Sequence, residues 1–225
     1  MRTNSLPDFR PSVNGFRFAN RWPAAPAFQF RAGCVRLGIG EVADGLCGGM
    51  CFVAADRYLA GATIPVDEAP PDQETPLFRE IARRQFDSLD RLALVPLRFW
   101  IAAAMVAAGR WSARRQVAEW RRIRAEIDVG RPSMIGLVRS AGFNPLRLTT
   151  NHQVLGYGYL ATGEAATLRI YDPNHPGADD VEVRIRRTDD TTGGGPERTA
   201  LDLEQSTGEP VLAILRLPFV PAVSR

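Results

Sequence analysis

The feature that most constrains this chain is a change of hydrophobic period near Gly130. Before it, apolar residues recur at helical spacing; after it, they alternate or run in short blocks. Thr75-Pro76 gives a cap followed by proline at a first helical position. Beyond it, Phe78, Ile81, Ala82, Leu89 and Leu92 fall on one stripe, the mark of a core-facing amphipathic helix. Residues 97–108 (LRFWIAAAMVAA) read as a second, more buried helix ended near Gly109. A third runs from about Ser112 to Asp128, with Ala113, Val117, Trp120, Ile123 and Ile127 on one face. After Gly130, PSMIGLV, HQVLGYGYL, TLRIYD, VEVRIR and VLAILRLP all read as strands, and TTGGGP as a flexible turn between the last two.

Helices followed by strands predict an α+β fold with mainly antiparallel pairing. The 225 residues are read as one domain over 1–225, with an irregular N-terminal arm over 1–32, a helical insertion over 76–128 and a sheet over 130–220. A further helix is expected from Cys47 to the stop at Gly61.

Composition excludes several classes. The charge balance is only +3, and all 28 basic residues are arginine, which reads as a GC-rich codon bias rather than a nucleic-acid footprint. Six arginines between 110 and 124 are read as a solvated helix face. Three cysteines make no disulfide framework and fit a reducing compartment. The N-terminus lacks an apolar signal-peptide core. The most apolar stretch is twelve residues, against the roughly 20 a membrane span needs. The expected location is therefore cytoplasmic, with non-classical export left open, and no membrane span or nucleic-acid partner is expected.

Two histidines exist, so any imidazole chemistry uses His152 or His175. His152 opens a strand, and Asp172 closes the next one. If the two strands are antiparallel neighbours, both residues meet at one edge, where a carboxylate can hold an imidazole tautomer. His175, in DPNHP, reads as a surface-loop residue. Cys47, in GLCGGMCF, sits at a helix start, where the helix dipole and free N–H groups favour a thiolate. Gly48 and Gly49 leave room for a carbonyl to approach the sulfur, and backbone N–H groups there can hold an oxyanion. Cys51, one turn on, is read as core and Cys34 as structural. Asn174 is an alternative to Asp172 for orienting the imidazole. A zinc site from Cys47, Cys51 and a histidine lacks a second closely spaced pair, so neither metal nor cofactor is expected.

The order of helix-start Cys47 in LCGGM, intervening helices, His152 in NHQVLGYGY and Asp172 in IYDPN resembles the papain-like cysteine peptidase superfamily. Within it, the domains similar to bacteriocin-processing (double-glycine leader) peptidases are the nearest in pattern. IDVGRPSMIGLV resembles the strand before the histidine in such domains. The likeness covers roughly residues 35 to 220. It implies a nucleophile helix packed on an antiparallel sheet, and a cysteine-dependent peptidase or amide hydrolase. Cys47, His152 and Asp172 would be its triad, working through a thioester on a peptide or protein substrate.

Two departures stand out. The family places a Gln six residues before the nucleophile as an oxyanion donor, and this chain has Glu41 there, which cannot donate when ionised. The insertion at 76–128 is long. A deamidase or transglutaminase-like activity uses the same parts, and a binding module that kept the fold and lost the chemistry is the competing class, favoured by Glu41.

Overall fold

The computed structural model describes residues 1–22, 26–32, 35–41, 45–90, 94–144, 150–163, 165–190 and 198–222. Among them, five helices pack on a strongly curled antiparallel sheet. The helices are α1 (Pro11–Asn14), α2 (Cys47–Leu59), α3 (Pro76–Ser88), α4 (Leu94–Ala107) and α5 (Ala113–Asp128). The strands are β1 (Arg2–Ser5), β2 (Pro26–Ala32), β3 (Val35–Glu41), β4 (Ser133–Val138), β5 (His152–Ala161), β6 (Ala165–Tyr171), β7 (Glu182–Asp190), β8 (Arg198–Gln205) and β9 (Ala213–Leu217).

The sheet runs β8-β7-β6-β5-β4-β9, and β2 and β3 form a separate hairpin. The two halves of β5 have different neighbours on one side. Its start pairs with β4 (Leu137 opposite His152) and its end with β1 (Ser5 opposite Gly158). Gly158 is needed there, because an added Cβ would press on Ser5. The curl is closed by Arg139, which follows β4: one guanidinium nitrogen reaches Gln205 at the end of β8, and another the Pro210 carbonyl. Four strand-to-strand steps along the sheet thus bring its path back to its own far edge.

Both faces of the central strands are covered. Met134, Val138 and Leu155 join a core with α2, α3, α4 and the N-terminal residues Leu6, Phe9, Phe16, Phe18 and Trp22. Ile135, Leu137 and Val154 join a second core under Trp120, Ile123 and Ile127 of α5. That explains the continuous apolar run in β4, all six residues of which are buried: alternation disappears when neither face meets water.

The helix starts follow their caps. The Thr75 side chain accepts from Phe78 N–H, and Ser112 from Arg115 N–H. Gly61 and Gly109 follow α2 and α4 with positive φ of 63° and 64°.

Four expectations need correction. The 1–32 arm is not irregular: β1 adds to the sheet, α1 is a single turn, and β2 begins at Pro26. Its pairing is backbone-driven, so four polar residues (RTNS) carry no strand signature. The strand β8 lies beyond the TTGGGP segment, where no strand was expected before β9. Helix α3 stops at Ser88, making Leu89 its C-cap, and Leu92 lies outside the described residues. Helix α4 is not deeply buried: Val95, Phe99, Ala102 and Ala103 face the core, while Leu94, Leu97 and Ile101 are 43%, 47% and 44% exposed. Among the described residues no helix is long and apolar enough to cross a membrane.

Candidate functional site

Helix α2 begins at Cys47 because the chain before it is pinned. Leu46 N–H donates to Asn20 Oδ1 (2.7 Å), and the Leu46 carbonyl accepts from Met50 N–H as the first helical bond (2.9 Å). Gly45, at φ 91°, turns against the Asn20 amide, where a side chain would collide. Asn20 also ties this turn to the far side of the site. Its N–H donates to the Pro173 carbonyl (2.9 Å), and its side-chain amide to Asn174 Oδ1 (3.4 Å).

The two glycines after Cys47 have a packing reason that differs from the expected one. A Cβ on Gly48 would strike Ser88 Oγ and Gln153 Oε1, and one on Gly49 the backbone carbonyl of Ile81. They let α2 approach α3, and at Gly48 also Gln153 of β5, closely. Gln85 from α3 accepts from Gly49 N–H (2.7 Å), satisfying one of the orphan donors of the α2 start.

Antiparallel pairing of β5 with β6, Leu155 opposite Tyr171, brings His152 beside Asp172. His152 Nε2 lies 2.6 Å from Asp172 Oδ1, with both residues buried. Asp172 is further held by the Asn174 N–H on Oδ1 (2.9 Å) and by the Gln205 amide on Oδ2 (2.9 Å). Cys47 lies beside the same imidazole, whose charge and hydrogen bonding act on its thiol. The structure therefore brings Cys47, His152 and Asp172 together.

Electrostatics follow from that contact. Burial alone would raise the Cys47 thiol, but the imidazole beside it outweighs burial, helped by the backbone N–H groups of Gln153 and Gly48, and the thiol titrates below its ordinary range. Burial alone would lower the imidazole, yet Asp172 and the Cys47 sulfur raise it to about 10. Asp172 is pulled down to about 2 against its burial, chiefly by His152. Near neutral pH the imidazole is therefore charged and the carboxylate ionised, and the Cys47 thiol is shifted toward thiolate.

The other candidates lie apart. Cys51 is fully buried, its sulfur against the Gln153 carbonyl (3.5 Å), and burial together with the Cys47 charge pushes its thiol well above the ordinary range. His175 pairs with Glu209 (2.8 Å) in a half-exposed turn. Asn174 contributes its backbone N–H to Asp172, while its side chain faces Asn20, so it does not orient the imidazole. Glu41 ends β3, but its side chain lies outside the described residues, as does Cys34. Among the described residues no cluster of three or more His, Cys, Asp and Glu side chains is set to hold a metal ion.

Sequence reading missed Asn20, Gln85, Arg139, Gln153 and Gln205. Gln153 follows His152 within NHQVLGYGY, whereas Asn20, Gln85, Arg139 and Gln205 sit in no motif and reach the site from other elements of the fold. Comparison with known protein families, curated proteins and solved structures gives no match.

Proposed function

We propose that this protein is a cysteine-dependent acyl-transfer enzyme of papain-like architecture, a peptidase or amide hydrolase, with Cys47 as nucleophile, His152 as general acid and base and Asp172 as its orienting carboxylate. One observation carries the reading: a thiol at the first turn of a helix shares a buried imidazole with a carboxylate, and that imidazole reverses the effect of burial on the thiol.

The step balances with these groups alone. Cys47 Sγ, as thiolate, attacks an acyl carbon and forms a C–S bond, pushing the carbonyl electrons onto oxygen. The tetrahedral adduct collapses, the C–N bond breaks, and the amine leaves with the proton given by His152. Water then attacks the thioester while His152 takes its proton; the C–S bond breaks and the carboxylic acid leaves. Asp172 keeps one tautomer and stabilises the imidazolium throughout. With the Gly49 N–H taken by Gln85 and the Met50 N–H by the Leu46 carbonyl, the Cys47 and Gly48 N–H groups at the α2 start would serve as oxyanion donors, and their importance rises with Glu41 where such enzymes have glutamine.

The test is acyl-enzyme trapping with a panel of peptide amides and esters, read by intact mass. A mass adduct on Cys47 that hydroxylamine removes, absent in Cys47→Ala and retained in Cys51→Ala, is the expected result. No adduct at Cys47 with any member, in a protein whose Cys47 is a thiolate at neutral pH, favours the binding-module reading instead.

A further inference from the structure

We propose that Arg139 and Gln205 form a positioning relay for Asp172, in which Arg139 fixes the direction of the Gln205 amide and Gln205 in turn aims the carboxylate at His152. The inference rests on the reading of Cys47, His152 and Asp172 just given, and adds two residues that touch neither thiol nor imidazole.

Asp172 is 1% exposed, so both its oxygens need donors from the protein. Oδ1 is shared by His152 and the Asn174 N–H. Oδ2 receives the Gln205 amide nitrogen at 2.9 Å, and Arg139 lies 3.9 Å from the same oxygen. Gln205 is itself 1% exposed, so no solvent corrects its orientation. An amide has a donating and an accepting end of nearly the same shape. With the ends exchanged, a carbonyl oxygen would face a carboxylate oxygen in a dry site. What selects the productive end is Arg139, whose guanidinium donates to Gln205 Oε1 at 3.0 Å. A guanidinium has only donors, so it accepts the oxygen end alone and turns the NH2 toward Asp172.

Arg139 is itself fixed at both ends. Its guanidinium donates to the Pro210 carbonyl (3.4 Å), and its backbone N–H to Asn151 Oδ1 (3.2 Å), one residue before His152. The same arginine that closes the curl of the sheet therefore sets the polarity of the buried chain Arg139–Gln205–Asp172–His152.

The test compares Gln205→Leu, Arg139→Met, Arg139→Lys and the double variant Gln205→Leu with Arg139→Met. The rate of Cys47 alkylation is followed across pH, and the His152 imidazole by NMR. Gln205→Leu should move the acid onset of Cys47 alkylation up by about one pH unit, which is about a tenfold slower rate below that onset. Arg139→Met should move it in the same direction, Arg139→Lys should move it less, and the double variant should be no worse than Gln205→Leu alone. A purely structural role would lower the melting temperature and leave the onset in place. The relay is overturned if folded Gln205→Leu keeps the wild-type onset, or if Arg139→Met adds its full effect on top of Gln205→Leu. Should Gln205→Leu not fold, the Arg139→Met and Arg139→Lys pair decides: equal onsets to wild type overturn the relay. Failure of the underlying reading looks different, because Cys47 of the wild type would then titrate like an ordinary thiol and ignore His152→Ala, which overturns both.

Discussion

Cys47 and Cys51 lie one turn apart on the same helix, both buried, and their thiols are driven in opposite directions. Burial raises both. Cys47 stands in the first turn, beside His152 and the N–H groups of Gly48 and Gln153. Cys51 stands one turn in, against the Gln153 carbonyl, an acceptor that stabilises the thiol and not the thiolate. The difference teaches that neither the helix nor the burial makes a reactive sulfur here. A cationic partner does, and that partner is held by Asp172, just past the end of β6, which is itself held by Gln205 of β8.

The comparison breaks most sharply with the nucleophile itself. If the proposed chemistry holds, Cys47→Ala should lower turnover by roughly four to six orders of magnitude, measured on whichever substrate the trapping panel yields. Cys51→Ala should leave turnover nearly intact and cost only about 1–2 kcal/mol of stability by urea denaturation. Next in size, His152→Ala should make the two thiols alike. With the imidazole gone only burial remains as a major influence, so the Cys47 thiol should rise above its ordinary range, as Cys51 already does. Iodoacetamide labelling with peptide mapping reads this directly.

The helix-start geometry gives a third prediction. Gly49→Ala places a Cβ against the Ile81 carbonyl, so α2 and α3 must separate, at about 1–3 kcal/mol of stability by chemical denaturation. Gly61→Ala meets no neighbouring atom, but its φ of 63° adds backbone strain, with a loss of about 1 kcal/mol.

A fourth prediction concerns stability against pH. Asp172 has a folded value of about 2 against an ordinary 3.8, so its contribution is present above 3.8 and disappears as pH falls through 2. His152 has a folded value of about 10 against 6.5, so its contribution is full below 6.5 and disappears as pH rises to 10. Stability from this pair should therefore peak between about pH 4 and 6.5, and the peak should flatten in a His152→Ala, Asp172→Asn double variant.

Parts of this were legible in the sequence for clear physical reasons. Thr75-Pro76 and Ser112 announced α3 and α5 because caps act locally. His152 and Asp172 were expected to meet because neighbouring antiparallel strands bring the start of one to the end of the other. Helix α4 misled: its composition is apolar all round, yet Leu94, Leu97 and Ile101 face outward, and periodicity carries no sign of it. Glu119, on the helix whose arginines read as a solvated face, is buried, where it accepts from Arg216 N–H and pairs with Arg122. Asn20, Arg139 and Gln205 were invisible because the contacts that tie them to Leu46, Asn174, Asp172 and one another span 26 to 154 residues and depend on the sheet's closure. Long-range polar contacts leave no periodic trace.

The most direct test of the central claim is the pH profile of alkylation at each cysteine of the folded wild-type protein, resolved by peptide mass mapping. The account predicts that Cys47 reacts with an onset below pH 8.5, where an ordinary thiol titrates, while Cys51 stays unreactive. Equal, slow labelling of both cysteines until the protein is unfolded would contradict it.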